Sequence, residues 1–113
     1  MAYIHNELAS GRWQTLNLSE QMGNIGSEIS RAIKWRGKND KFYSNAVFRA
    51  IELLDLTISD KRWVKGVKEI TRAKEVFCDS VFGQNQYKTT LEDLDYYFTK
   101  FALAARRSAP KIH

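Results

Sequence analysis

Residues 39–59 read NDKFYSNAVFRAIELLDLTIS, and twelve of these 21 residues are apolar or aromatic when the methyl group of Thr57 is counted. On a helix of about 3.6 residues per turn, the apolar positions cover most of the circumference. A helix that is apolar nearly all round packs against several neighbours, and this one is too short and too interrupted by charge to span a membrane. We therefore predict that it is the central helix of a soluble bundle. Its narrow polar stripe consists of Lys41, Asn45, Arg49, Glu52 and Asp55.

The length and composition of the chain predict a single domain over residues 1–113. A chain of 113 residues allows one hydrophobic core, and 43% hydrophobic with 27% charged residues is a globular composition. With one proline and six glycines, the chain has few breaks for short strands, so helices must carry the fold. The N-terminus lacks the basic-then-apolar plan of a signal peptide, and the lone Cys78 cannot form an internal disulfide, so we expect a cytoplasmic protein.

Apolar periodicity and capping residues predict four helices. Ser19 is the expected N-cap of the first, Asp60 opens the third, and Thr89 with Glu92 forms a capping box at the fourth. Turns of a few residues make neighbouring helices antiparallel. We predict an all-α, up-down-up-down four-helix bundle with a short N-terminal helical turn or extension. The extension covers residues 1–17, and the helices cover residues 19–36, 40–59, 61–82 and 90–107.

Two groups of residues are expected to complete the packing. Trp13, Leu16 and Leu18 are predicted to fold back over one end of the bundle, the alternative being a patch used by a partner. The small residues of the first helix let a neighbouring backbone come close, either inside the bundle or at a dimer face. These small residues are Gly23, Gly26, Ser27 and Ser30, and the residues expected to be at least partly enclosed are Phe48, Leu54, Phe77 and Phe101.

The chain contains few residues that carry catalytic or metal chemistry. His5 and His113 lie near opposite ends of the chain, and no HExxH, CxxC or Glu-x-x-His motif occurs. Cys78 is followed by Asp79, and a nearby carboxylate raises rather than lowers the pKa of a thiol. We therefore predict no catalytic residue, no metal and no cofactor.

One short segment, RSAPKIH, places Arg107 and His113 with five residues between them. It resembles the Arg-x4–6-His motif that helical ribonucleases of the HEPN group carry on a four-helix bundle. The resemblance implies RNA cleavage by these two residues across a dimer. Pro110 interrupts the segment and His113 is the last residue, unlike the family pattern, so we do not assign the chain to this family.

Charge is distributed unevenly over the predicted bundle. The net charge is +5 at pH 7, with 18 basic and 13 acidic residues. The start of the third helix and the end of the fourth fall at one end of an up-down bundle, and both are rich in cations. Lysines that open a helix oppose its dipole, so these cations are candidates for contacts with an anionic partner such as RNA or DNA. The candidate nucleic-acid-binding residues are Lys61, Arg62, Lys65, Lys68, Arg72, Arg106 and Arg107.

A second cluster of basic residues, which surrounds the aromatic Trp35, lies at the C-terminal end of the first helix. Cations suit a helix C-terminus, and acids of the fourth helix should lie nearby, so we expect local neutralisation there.

The chain has many large rings for a small core, and rings with arginine are typical of protein interfaces. We predict a non-enzymatic helical-bundle interaction module that forms a homo-oligomer or acts as an adaptor for another protein, without a membrane partner. The alternative is an RNA- or DNA-associated protein, and the second alternative is a HEPN-like ribonuclease. The rings considered are Tyr3, Trp13, Trp35, Trp63, Tyr87, Tyr96 and Tyr97.

Overall fold

The computed structural model describes the backbone of residues 11–108 and the side chains of residues 11–104. Within that range the chain is all-α, as predicted, and its helices form an up-down-up-down four-helix bundle with short connections. A 3₁₀ helix, Arg12–Thr15, precedes the first α-helix, and another, Lys61–Gly66, precedes the third. The α-helices are α1 Leu18–Trp35, α2 Asp40–Ile58, α3 Val67–Phe82 and α4 Leu91–Ser108. The prediction of a single domain over residues 1–113 stays a prediction.

The helices do not pack equally against one another. α1 packs along both α2 and α4, and α3 packs mainly on α2, whereas α3 and α4 touch over only a short stretch. α2 is deeply buried, as its apolar circumference predicts. The helix with two extensive neighbours is nevertheless α1. Gly26 faces α4, and a Cβ atom added there would lie 3.5 Å from the Cβ atom of Phe98, an ordinary van der Waals distance. The contact with α4 therefore leaves room for an alanine at this position.

The large side chains that were predicted to be enclosed differ in how far they are buried. Leu54 and Phe77 are fully buried, and Phe101 is partly buried against the core. Phe48 remains 51% exposed. Trp13 is buried, and Leu16 and Leu18 pack against the core, so this segment does fold back over the bundle. The predicted helical turn before Ser10 lies outside the described residues.

The N-cap of α1 is Asn17 rather than Ser19. The Asn17 side chain accepts a hydrogen bond from the Glu20 N–H at 2.8 Å, and Glu20 Oε1 accepts one from the Asn17 N–H at 3.0 Å. This reciprocal pair is a capping box. Ser19 instead turns inward and donates its hydroxyl to the carbonyl of Ala102 at 3.0 Å. The serine therefore ties α1 to α4.

The capping pair of α4 is also displaced by one residue from the prediction. Thr90 Oγ1 accepts from the Asp93 N–H at 3.0 Å, and Asp93 Oδ2 accepts from the Thr90 N–H at 3.1 Å. Hydrogen bonding to Thr90 lowers the pKa of Asp93. Because Asp93 takes the capping role, Glu92 is left to pair with α1.

The α3 helix begins at Val67 and not at Lys61, because residues 61–66 form the tighter 3₁₀ helix. Asp60 does open this segment, as predicted, by accepting a hydrogen bond from the Arg62 N–H at 3.1 Å. Trp63 leaves helical geometry, with φ of −106° and ψ of 25°. The kink turns the Trp63 indole toward α1, where its N–H has a partner. None of the helices in the described part of the chain is both long and apolar enough to cross a bilayer.

Candidate interaction surfaces

A buried polar network joins the first 3₁₀ helix to the end of α2. The Trp13 indole donates to Thr57 Oγ1 at 3.0 Å, and the Gln21 amide donates to the Trp13 carbonyl at 2.9 Å and to Asp60 Oδ2 at 3.1 Å. The Trp63 indole in turn donates to Gln21 Oε1 at 2.9 Å. Each of these polar groups is satisfied in the interior, which is the condition for such a network to stabilise a fold.

Arg62 belongs to this network and not to a free basic surface. Its guanidinium donates to Asp60 Oδ1 at 3.0 Å and to Oδ2 at 2.6 Å, and it also reaches the Leu16 carbonyl at 2.6 Å. The guanidinium lies 4.5 Å from the centre of the Trp63 ring. Hydrogen bonds from Arg62 hold the pKa of Asp60 below its usual range. The role of Arg62 is therefore mainly structural, because its guanidinium is held by Asp60 and the Leu16 carbonyl.

The remaining basic residues at the start of α3 have no acidic partner. Lys61, Lys65 and Lys68 are exposed, and none of the ion pairs among the described residues includes them. Arg72 lies one helical turn after Lys68, and its guanidinium is 4.7 Å from the centre of the Tyr87 ring. These four residues form a continuous line of cations. The side chains of the other two candidates, Arg106 and Arg107, lie outside the described residues.

Tyr87 was not among the predicted site residues, and the loop of residues 83–90 brings its ring to Arg72; Lys88, also outside the prediction, is the next residue of this loop and is exposed. The Asp79 carboxylate accepts hydrogen bonds from the backbone N–H groups of Gln86, at 3.0 Å, and Tyr87, at 3.1 Å. Asn85 and Lys88 both have positive φ, at 55° and 52°. The sequence signal for this loop was its composition alone, which does not reveal where its ring will lie.

The second basic cluster is neutralised only in part, although the sequence predicts local neutralisation there. Arg36 pairs with Glu92 across the α1–α4 contact at 2.5 Å, which raises the pKa of Arg36 and lowers that of Glu92. Lys34 lies 5.1 Å from the centre of the Trp35 ring of its own helix. Lys34, Lys38 and Lys41 take part in none of the ion pairs among the described residues, so exposed cations remain at this end as well.

An exposed pair of phenylalanine rings lies between α2 and α3. Phe48 is 51% and Phe82 is 59% exposed, and their ring centres are 6.0 Å apart. On α3, Phe82 lies two helical turns after Lys74, which pairs with Asp55 of α2 at 2.5 Å. An apolar centre with a charged border is the usual composition of a protein interface.

A shallow groove follows the short contact between α3 and α4. Its volume is about 320 Å³, and its lining is mostly apolar, including Ala73, Val76 and Leu94. The Tyr97 hydroxyl bridges the groove by donating to Glu69 Oε1 at 3.0 Å. Burial, followed by this contact with Glu69, raises the pKa of Tyr97. The groove is thus the loosest of the seams between the helices.

Of the residues considered for catalysis, the structure describes the side chain of Cys78 alone. Cys78 is a partly buried free thiol, and burial raises its pKa above the usual value. His5 and His113 lie outside the described residues, as does the side chain of Arg107. Among the residues that the structure describes, no group of three His, Cys, Asp or Glu side chains is arranged to hold a metal ion.

Comparison of the chain with protein-family models, with curated proteins and with solved structures finds no match.

Proposed function

We propose that the chain is a non-enzymatic, cytoplasmic interaction module that associates with a second copy of itself through the Phe48–Phe82 pair. The observation that carries this proposal is the exposure of two neighbouring rings, each more than half open to water. Contiguous apolar patches of more than a few hundred Å² on a protein surface mark interaction sites, and the two rings would form the centre of such a patch.

The size of the apolar surface supports a reversible dimer. A phenylalanine ring presents about 150–250 Å², so four half-exposed rings in two copies remove about 400 Å² from water. At about 25 cal/mol per Å² this contributes about 10 kcal/mol, which is within the cost of association, about 4–15 kcal/mol. We therefore expect a concentration-dependent dimer and not a permanent one.

The geometry also favours a symmetric arrangement. In a two-fold dimer the same patch of each copy meets its counterpart, so a patch must be complementary to itself. A ring pair meets this condition because rings stack on rings in offset or edge-on arrangements. Lys74 and Asp55, which neutralise each other, add no net repulsion to the contact.

The test is the molar mass in solution, measured by light scattering over a range of protein concentrations. The wild-type chain is expected to shift from monomer toward dimer as concentration rises. The double variant Phe48→Ser/Phe82→Ser should remain monomeric, because it removes both rings without adding charge. Tyr96→Ser is the matched control, since Tyr96 is also an exposed ring but lies on α4.

Two results would contradict the proposal. One is a wild-type chain that stays monomeric at the highest concentration reached. The other is equal loss of dimer in the Tyr96 control and the double variant. Circular dichroism of each variant verifies that the helices are retained.

A further inference from the structure

We propose that a second surface of the molecule, independent of the Phe48–Phe82 pair, binds single-stranded nucleic acid. We call it the basic-aromatic surface. It consists of Lys61, Lys65, Lys68, Arg72, Tyr87 and Lys88.

The cations of this surface are available to phosphates. Between Asp60 and Arg72 the chain has five basic residues and two acids. Asp60 pairs with Arg62, whereas Glu69 accepts from Tyr97 and lines the same groove as Arg72 and Asp93. None of the ion pairs among the described residues includes the three lysines, so they have no acid to release before they contact a phosphate. They are also exposed, so a phosphate reaches them without a change in the fold.

The cations follow one another from the second 3₁₀ helix into α3. Lys61 and Lys65 lie in the 3₁₀ helix, and Lys68 and Arg72 lie four residues apart on α3. That spacing places Lys68 and Arg72 on one face of the helix, about 6 Å apart along its axis. Such a row of cations can contact successive phosphates of an extended nucleic-acid backbone. Proteins bind single strands in this way without reading their sequence.

A preorganised ring lies at the end of this line. Tyr87 is 42% exposed, so Arg72 covers only part of its ring and leaves area for a base. Residues such as Asn85 and Lys88 adopt positive φ at a cost of about 1 kcal/mol or more, and they keep it only where other contacts hold the loop. Asp79 supplies those contacts through two backbone N–H groups. The ring is therefore fixed before a ligand arrives.

The combination of cations with an exposed ring favours a single strand over a duplex. A base can stack on Tyr87 only if its face is free, and in a duplex the faces are covered by neighbouring pairs. A polyanion without bases would contact the lysines but gain nothing from the ring. The ring thus makes the proposal specific to a phosphate chain that carries unstacked bases.

The test is fluorescence anisotropy with a labelled, mixed-sequence oligonucleotide, as single-stranded DNA and as RNA. With four phosphate contacts, the affinity is expected to fall about 50-fold between about 50 and 200 mM salt, since each contact contributes about 0.7 to the slope. The Lys65→Gln/Lys68→Gln variant should bind about 10-fold more weakly and show a smaller salt slope. Lys38→Gln/Lys41→Gln is the matched control, with the same loss of charge at the other end of the bundle.

Tyr87→Leu separates stacking from charge. It should weaken binding at least about 5-fold, because stacking of one base contributes measurably to affinity, and it should leave the salt slope unchanged. The Phe48→Ser/Phe82→Ser variant should bind as the wild type does, since the two surfaces are separate. Thermal melting of each variant verifies that the fold is retained.

Four results would overturn the inference. These are absence of binding at low salt, equal weakening by the control pair of lysines, a Tyr87→Leu variant that binds like the wild type, and competition by duplex DNA or inorganic polyphosphate as strong as by the single strand.

Discussion

The contact of α1 with α4 and the contact of α3 with α4 involve the same helix and differ sharply. On the α1 side, the helices pack extensively, and Phe98 is fully buried against Gly26, although a groove of about 390 Å³ opens beside Gly23 and Ser27. On the α3 side, the helices touch over only a short stretch, and a groove of about 320 Å³ lies over Ala73, Val76 and Leu94. The four seams of this bundle are therefore not equivalent.

The difference shows that residue size decides the packing more than hydrophobicity does. Both seams contain apolar residues in helical spacing, but only α1 offers a glycine opposite a large ring. α3 instead offers Glu69 and Arg72 at its edge of the seam. These charges remain near water, and Tyr97 bridges to Glu69 across the open side.

Truncation of one core side chain in each seam should show the largest contrast. Phe98→Ala is expected to lower the free energy of unfolding by about 3–5 kcal/mol, because a buried ring is replaced by a cavity. Val76→Ala, at the edge of the open groove, should cost about 1 kcal/mol or less, since water can fill the space. Urea denaturation of both variants measures the difference. Similar losses in the two variants would mean that the α3–α4 seam is closed in solution.

A substitution of Asp60 tests the polar contacts that hold α1 to the end of α2. Asp60→Asn removes the buried carboxylate that pairs with Arg62. It should lower the free energy of unfolding by about 2–3 kcal/mol near neutral pH, which is less than for a fully buried pair because Arg62 is partly exposed. The pKa of Asp60 is lowered in the folded state. Its contribution is therefore complete above the unfolded pKa of about 3.9 and is lost as the pH falls toward the folded value.

The stability difference between wild type and Asp60→Asn should accordingly shrink below about pH 4. Urea denaturation over a series of pH values measures it. A difference that stays constant down to the lowest pH would show that the pair does not hold this carboxylate ionised.

The smallest effects on stability are expected from substitutions of the two glycines of α1, and the two should differ in sign. Gly23 has open space around its Cα atom, whereas Gly26 faces Phe98. Gly23→Leu should raise the free energy of unfolding by about 0.5–1 kcal/mol through helix propensity. Gly26→Leu should lower it by about 1–3 kcal/mol, because the added atoms must displace α4. Thermal melting compares the two, and a tolerated leucine at residue 26 would mean that the close contact is not required.

The sequence predicted the helical fold well because each α-helix has a clear apolar stripe. It missed the capping residues of α1 and α4 by one or two positions, and the reason is visible at α4. Thr89 and Thr90 are both suitable caps, and Glu92 and Asp93 both suit the third position. In the structure Asp93 caps with Thr90, and Glu92 pairs with Arg36 of α1. No local pattern contains the position of Arg36.

The candidate surface was predicted in part for a similar reason. Lys68 and Arg72 share one face of α3 because their spacing on a helix dictates it, and Lys61 and Lys65 precede them in the 3₁₀ helix. Arg62 is withdrawn from that line by Asp60, whose position depends on Gln21 of a different helix. Tyr87 joins the line through a loop that Asp79 holds. Contacts between distant segments therefore decided which of the predicted cations are available.

The central position of α1 also affects how the protein is made. Of the described α-helices, α1 leaves the ribosome first, yet one of its two faces is covered by α4, which leaves last. Trp13 likewise precedes its hydrogen-bond partner, Thr57, by 44 residues. We therefore expect the nascent chain to expose the apolar face of α1 until α4 is made, and contacts between such distant segments slow folding.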